Sequence, residues 1–334
     1  MTLAHAWPRI TMSTGSQVWR RGVPGGGDRP PRIRGETRHM VSDDTTRGQQ
    51  GSAEAQELTL NDKAHSVIPQ IGFGTFQIPP EDTQRAVEEA LEIGYRHIDT
   101  AAAYYNEKEV GDALKATGMA GKVWVTTKLR NCDQGYDSTM VAFDRSRSNL
   151  GVDVVDMYLI HWPLPNPEYK DWKELDIETW RGLEELYKAG KVKAIGVSNF
   201  LLHHLENLIQ NCEIMPMADQ IEFHPGFTQE ATVRYCQEKG IYVQAWSPLG
   251  RKRVLEHPLL VGLAEKYNKS AAQICLRYEI QRQVIPLPKA STKERMVQNY
   301  QVFDFEIEKE DMYRIDSMQP AGWSGEHPDF PRVK

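Results

Sequence analysis

Val154-Val155-Asp156-Met157-Tyr158-Leu159-Ile160-His161 is a β-branched and apolar run that ends on an imidazole. It reads as a buried strand whose last residue carries chemistry. Met157 and Tyr158 read as filling of that strand. Working outward in both directions, the same unit recurs: a short apolar run, a polar end, then an amphipathic helix. The strand candidates are Ile68–Phe76, His97–Thr100, Val123–Lys128, Val154–His161, Val192–Asn199, Met217–His224, Ile241–Pro248 and Val284–Lys289. Between them lie helical stretches such as Thr83–Ile93, Glu107–Lys115, Ser138–Leu150, Thr179–Ala189, Leu201–Ile209, Glu230–Lys239 and Ala271–Arg282. In the first of these, Ala86, Val87, Ala90, Leu91 and Ile93 make one face. Gly94, Gly118, Gly190 and Gly240 stand where helices must turn back into strands.

Eight such units over about 255 residues predict an α/β fold, a (β/α)8 TIM barrel. The rival is a doubly wound sheet, which carries G-x-G-x-x-G after its first strand. The nearest match here, Gly72-Phe73-Gly74-Thr75-Phe76-Gln77, lacks the third glycine, and Pro79-Pro80 delays the helix. Those glycines read instead as places of close backbone approach.

Composition agrees with a globular body. The chain has 334 residues, a net charge of −6, 40% hydrophobic and 26% charged residues. It holds no apolar run near the roughly 18 residues of a membrane span. The acidic balance argues against nucleic acid as a partner. Four cysteines, at 132, 212, 236 and 275, form no C-x-x-C pair and read as reduced thiols. No H-E-x-x-H occurs, and adjacent His203 and His204 predict poor ligand geometry on a helix, so no metal is expected.

Residues 1–57 differ in kind. They carry 8 Arg, no Lys and 6 acids, with Pro24-Gly25-Gly26-Gly27 and Pro30-Pro31 and no apolar period. Such a segment buries too little to offset ordering entropy, so a disordered extension is expected. Either translation starts further on, at Met12 or Met40, or the Arg-rich stretch is a targeting peptide; it has no secretory apolar core. Residues 58–334 are the expected barrel.

In a barrel the C-terminal strand ends converge on one mouth, where chemistry happens. Here those ends carry Asp99-Thr100, Lys128, His161-Trp162, Ser198-Asn199, Gln220, Glu222, His224, Trp246-Ser247 and Lys289. Tyr104 follows five residues after Asp99. Each has a bland reading alone: Asp99 as a helix cap, Lys128 as a solvated end, His161 as a core histidine, Tyr104 as packing. Their combination at one rim favours chemistry. A phenol is a poor acid at its usual pKa of about 10, and a nearby ammonium should pull it down. A carboxylate would hold that ammonium, and a neutral imidazole could bond a carbonyl oxygen. No side chain supplies hydride, so a nicotinamide donor is expected. Trp246 offers a flat face, Ser198, Asn199 and Gln220 polar groups, and Lys289 and Arg295 cations for phosphate.

The sequence resembles the aldo-keto reductases, in particular their bacterial 2,5-diketogluconate reductase-like branch, over roughly residues 58–330. The resemblance is carried by Gly94-Tyr95-Arg96-His97-Ile98-Asp99-Thr100-Ala101 with Tyr104 and Asn106-Glu107, and by the segment Val154 to Pro163. It is carried further by Lys193-Ala194-Ile195-Gly196-Val197-Ser198-Asn199-Phe200 and Ile285-Pro286-Leu287-Pro288-Lys289. It implies a catalytic tetrad of Asp99, Tyr104, Lys128 and His161, with Tyr104 as general acid. It implies NADP(H) held by Thr75, Ser198, Asn199, Gln220, Trp246, Ser247, Leu249, Lys289, Ser291, Thr292, Arg295 and Asn299. It implies a substrate pocket walled by Phe76, Arg130, Trp162 and the tail residue Trp323. Ala290 and Gln298 replace Ser and Glu of many relatives, and Arg130 replaces a Trp, which points to acidic or polyhydroxylated substrates. The expected function is NADPH-dependent reduction of aldehydes, ketones or sugar-derived dicarbonyls by a cytoplasmic monomer. The alternative is a non-catalytic, nucleotide-sensing regulatory subunit on the same barrel.

Overall fold

The computed structural model describes residues 57–59 and 67–332, all within one compact unit spanning 51–334. The extension expected at 1–57 lies outside the described residues, apart from Glu57. That residue begins strand β1 (Glu57–Thr59), which pairs antiparallel with β2 (Val67–Pro69) in a small hairpin.

The first barrel strand is shorter than its apolar run. Ile68–Phe76 divides into β2, used by the hairpin, and β3 (Phe73–Gly74), which joins the barrel. From there strand and helix alternate: α1 (Pro80–Ile93), β4 (His97–Asp99), α2 (Glu107–Ala116), β5 (Trp124–Leu129), α3 (Tyr136–Leu150) and β6 (Val155–Ile160). Then come α4 (Trp172–Lys188), β7 (Val192–Ser198), α5 (Leu202–Ile209), β8 (Ala218–Glu222), α6 (Glu230–Glu238) and β9 (Tyr242–Trp246). The last turns are α7 (Pro258–Tyr267), α8 (Ala271–Gln281), β10 (Val284–Pro286), α9 (Lys293–Tyr300) and α10 (Lys309–Asp316). Strands β3 to β10 form one parallel sheet in chain order. The backbone closes the ring: the Gly72 N–H donates to Pro286 O (3.0 Å) and the Gly74 N–H to Pro288 O (3.1 Å). A Cβ on Gly72 would stand 2.5 Å from Leu287, and one on Gly74 3.0 Å from the Leu287 carbonyl. The glycines are there because the seam leaves no room for a side chain.

Local rules explain the helix ends. Pro80 opens α1 at a position whose N–H is unneeded, with Glu81 and Asp82 in the first turn, and Gly94 ends it at φ +125°. Ser270 and Gln273 form a reciprocal capping box at the start of α8. The core is the barrel wall plus the inner helix faces, with Met157, Tyr158, Val197, Ala245 and Phe143 buried. Helices reach a tail, 317–332, that folds back over the mouth. Among the described residues, no helix is long and apolar enough to cross a membrane, and all four cysteines are free thiols.

Candidate active site

Lys128 lies next to last in β5, and its side chain is fully buried. A buried ammonium needs partners, and three oxygens supply them. Its Nζ donates to Asp99 Oδ1 at 2.7 Å, to Thr100 O at 3.0 Å and to Tyr104 Oη at 3.3 Å. Asp99 ends the adjacent parallel strand β4 opposite Thr126, and Lys128 follows two residues on along the same face of β5. Tyr104 ends a one-turn 3₁₀ helix, Ala102–Tyr104, after which Tyr105 takes a left-handed φ of +59°. The buried Asn106 fixes that turn: its Nδ2 donates to Thr75 O and Ile78 O, and Thr100 Oγ1 donates to its Oδ1. Thr75 itself is buried, its Oγ1 donating to Asp99 O at 3.1 Å and to Asn106 Oδ1 at 3.4 Å.

His161 follows β6. Its ring meets Tyr104 edge-on, with centroids 5.6 Å apart. Burial and then the Lys128 charge push its pKa well below the ordinary imidazole value, so the ring is neutral. Its Nδ1 is sealed without a partner. Lys128 feels burial pulling its pKa down, but Asp99 and Tyr104 outweigh that and hold it above the usual ammonium value. For Tyr104 the expected drop does not occur: burial raises the phenol, and Lys128 reverses that only in part. The result is a protonated phenol beside a fixed cation, a group that can give up a proton and have the remaining charge stabilised.

A polar shelf borders this cluster. The Asn199 Nδ2 donates to His161 O (2.9 Å), and the Trp246 indole donates to Asn199 Oδ1 (2.8 Å). Ser198 Oγ donates to Gln220 O. Gln220 Nε2 donates to the second Asp99 oxygen at 2.8 Å. Asn199 and Ser247 both hold left-handed backbone, φ +65° and +51°. Leu249 is half-buried against the core. Further round the rim, Lys289 donates to Gln77 O, and its pKa is lowered by burial and by the Lys252 charge. Ser291 and Arg295 are exposed at the start of α9, which Thr292 caps. Asn299 differs from these: it is buried on the inner face of α9.

The supposed substrate wall is only partly assembled around the phenol. Phe76 packs on Tyr104 at 5.0 Å. Arg130 sits over Tyr105 at 5.4 Å and has no acidic partner among the described residues. Trp162 is half-buried, and its carbonyl accepts from Gln134. Trp323 is 47% exposed and stacks on Phe227. With Trp246, Asn199 and His327 it lines a cavity of about 300 Å³ under the tail. Ser324 pins that tail through its N–H and hydroxyl to the buried Glu222 carboxylate.

His203 and His204 do not diverge as their adjacency on α5 predicted. Their Nε2 atoms lie 2.9 and 3.0 Å from the tail carboxylate Asp329 Oδ1, and the three residues form a compact group. The reason is that the two rings tilt together, 3.9 Å apart. The Leu201 N–H donates to His204 Nδ1, so the neutral ring carries its proton on Nε2. That nitrogen faces Asp329 as a donor, off the line of a good hydrogen bond, and has no lone pair for a cation. The trio clasps the tail.

Sequence reasoning passed over Asn106 as a determinant of the turn, and Gln244, whose Oε1 accepts from Gln220 at 2.9 Å. Gln244 is a buried amide between Val243 and Ala245, a mismatch that marks it, whereas Asn106, between Tyr105 and Glu107, carries no such signal.

A parallel barrel thus carries a buried Lys–Asp pair, a phenol and a neutral imidazole together at its mouth. The aldo/keto reductase family profile matches residues 70–320, and the chain belongs to that family. It is 44% identical to a glyoxal reductase of Bacillus subtilis over 264 residues, covering 78% of this chain and 93% of the relative. It is 38% identical to the methylglyoxal reductase DkgA of Escherichia coli, covering 79% and 94%, within the 2,5-diketogluconate reductase-like branch. Among solved structures, a variant of Gox0644 in complex with NADPH superposes with a TM-score of 0.77 at 37% identity, covering 84% of this chain and 99% of the other.

Proposed function

We propose that this chain reduces aldehydes, ketones or sugar-derived dicarbonyls to alcohols with NADPH, Tyr104 serving as general acid. The observation that carries the reading is the buried relay from Asp99 through Lys128 to the Tyr104 hydroxyl, with His161 against the same ring.

The residues fit a nicotinamide dinucleotide phosphate. Gln220 Oε1 accepts nothing from the described protein and is not sealed off. Burial and then the Lys252 charge lower the Lys289 pKa, a strain that a bound anion would relieve. Ser198, Asn199 and Gln220 would hold the carboxamide, Trp246 the ring face, and Lys289 with Arg295 the 2′-phosphate, which favours NADPH over NADH. When bound, the reduced nicotinamide supplies hydride to the carbonyl carbon.

The rest is done by the chain. Neutral His161 orients the carbonyl oxygen by donating a hydrogen bond from the nitrogen that faces the mouth. Tyr104 gives its proton to that oxygen as negative charge develops. The Lys128 ammonium then stabilises the phenolate left behind, and Asp99 keeps the ammonium charged and in place. Arg130, stacked over Tyr105 and without an acidic partner among the described residues, favours carbonyls that carry a carboxylate.

A nucleotide-sensing subunit would bind NADPH equally well, so binding cannot separate the two readings. Turnover does. NADPH and NADH oxidation are followed with glyoxal, methylglyoxal, a keto acid and a neutral aldehyde. Steady NADPH consumption with at least one, and a keto-acid preference lost in Arg130→Trp, is expected. Tight NADPH binding with no turnover of any carbonyl supports the sensor instead.

A further inference from the structure

The barrel interior holds a polar chain that the reading above leaves unused. Gln244 lies in β9, fully buried between Val243 and Ala245. Its Oε1 accepts from Gln220 Nε2 at 2.9 Å, and its own Nε2 rests 3.4 Å from Met157 Sδ, a weak acceptor. Gln220 Nε2 also donates to Asp99 Oδ2 at 2.8 Å, while Asp99 Oδ1 accepts from Lys128.

We propose that Gln244 is a positioning residue that fixes the amide of Gln220, so that Gln220 Oε1 faces the mouth as an acceptor for a carboxamide N–H₂. This rests on the nicotinamide reading given above. The donors and acceptors around Gln220 fix its orientation. A carboxylate only accepts, so Asp99 turns the Gln220 amino group toward itself. That group has two N–H bonds. Asp99 takes one, and Gln244 takes the other. No donor is left over to face the mouth, and the one unsatisfied atom of Gln220 is its oxygen. A flipped amide would set its oxygen against Asp99 Oδ2 and Gln244 Oε1, three acceptors in a buried space. Without Gln244 the second N–H would be orphaned, and the amide would gain by turning it elsewhere. The same carboxylate thus links the carboxamide acceptor to the Lys128–Tyr104 contact.

The test is direct binding to the full chain, read by quenching of tryptophan fluorescence. The probes are NADP⁺, its 3-acetylpyridine analogue, which lacks the amide N–H, and 2′-phospho-ADP-ribose, which lacks the ring. Gln244→Met keeps the volume and removes the acceptor. It is expected to weaken NADP⁺ about tenfold while leaving the other two probes within about twofold of wild type. Gln244→Glu keeps an acceptor and is expected to retain NADP⁺ affinity within about threefold. Should Gln244→Met fail to fold, Gln244→Leu, which also lacks an acceptor, carries the same expectation. Equal weakening of all three probes, or unchanged NADP⁺ affinity, overturns the proposal alone. Wild-type protein that binds 2′-phospho-ADP-ribose and NADP⁺ equally overturns the nicotinamide placement along with it.

Discussion

The two ends of the barrel weight one backbone problem differently: glycine takes most of the positive-φ positions where helices return to strands, Gln283 being an exception, whereas the mouth uses glycine at Gly135, Gly226 and Gly250 and also many residues that carry side chains. At the end where helices return to strands, the chain takes left-handed backbone at Gly94, Gly118, Gly151, Gly190 and Gly240. Glycine adopts that conformation without steric cost. At the mouth, where strands lead into helices, the same conformation falls on Gln77, Tyr105, Asn199, Gln229, Ser247, Arg251 and Lys252. Each of those side chains is retained at a cost in backbone strain. Several of them stand in or beside the candidate site. Charge follows the same division. The mouth buries an ammonium and its carboxylate beside a half-buried imidazole, while glycine closes most of the returning turns.

Removing Lys128 should break this contrast most severely, because it strikes the mouth in both respects. Lys128→Met leaves Asp99 buried without its cation, and is expected to destabilise the fold by about 3–5 kcal/mol. It should also cut kcat/KM for carbonyl reduction by at least about 10³-fold. Urea unfolding and steady-state kinetics read the two losses; a stable, active variant would deny that the pair matters.

The next effect concerns pH. His97 is buried below the mouth, bonded to Thr126 through Nε2, and burial holds its pKa down at about 3. The unfolded chain binds a proton there near pH 6.5, so between pH 6.5 and 3 the unfolded state holds more protons. Stability is therefore lost as pH falls through that window, by about 4–5 kcal/mol for this one group. His97→Asn should make the acid limb of a stability-versus-pH curve shallower over the same range. An unchanged limb would assign acid lability to other groups.

The smallest effects sharpen the glycine contrast. Gly190, at φ +69° with open space where a Cβ would go, tests backbone cost alone: Gly190→Ala is expected to lose about 1–2 kcal/mol with kcat unchanged. Its mouth counterpart, Ser247→Gly, should change stability by under about 1 kcal/mol, in the stabilising direction, while weakening NADPH binding. Thermal melts with NADPH titrations compare the pair, and a reversed pattern would end the distinction.

The barrel was readable because parallel strands are buried on both faces and therefore show as apolar runs. The reactive groups were readable because they interrupt those runs at their ends. Asp99, Lys128 and His161 stood out for that reason, and their neighbours in the sheet are the ones strand order implied. Other features left no such trace. The β1–β2 hairpin has three-residue strands, too short for a period. The apolar character of Ile68 serves either sheet, so sequence alone does not separate it from the barrel run. Burial of the phenol is a property of packing, so the sign of the Tyr104 shift was not visible from Lys128 alone. The grip of His203 and His204 on Asp329 joins residues 126 and 125 positions apart, and pairing at that distance has no local signature.

The central claim is that the Tyr104 hydroxyl delivers the proton. Single-turnover reduction of methylglyoxal by NADPH-loaded Tyr104→Phe, followed from pH 5.5 to 9, tests it most directly. In wild type the raised phenol and the neutral imidazole predict a rate that stays flat across this range. The variant should be slower by about 10²–10⁴-fold at unchanged NADPH affinity. A variant within about threefold of wild type, or a wild-type limb near pH 6.5, would contradict the account.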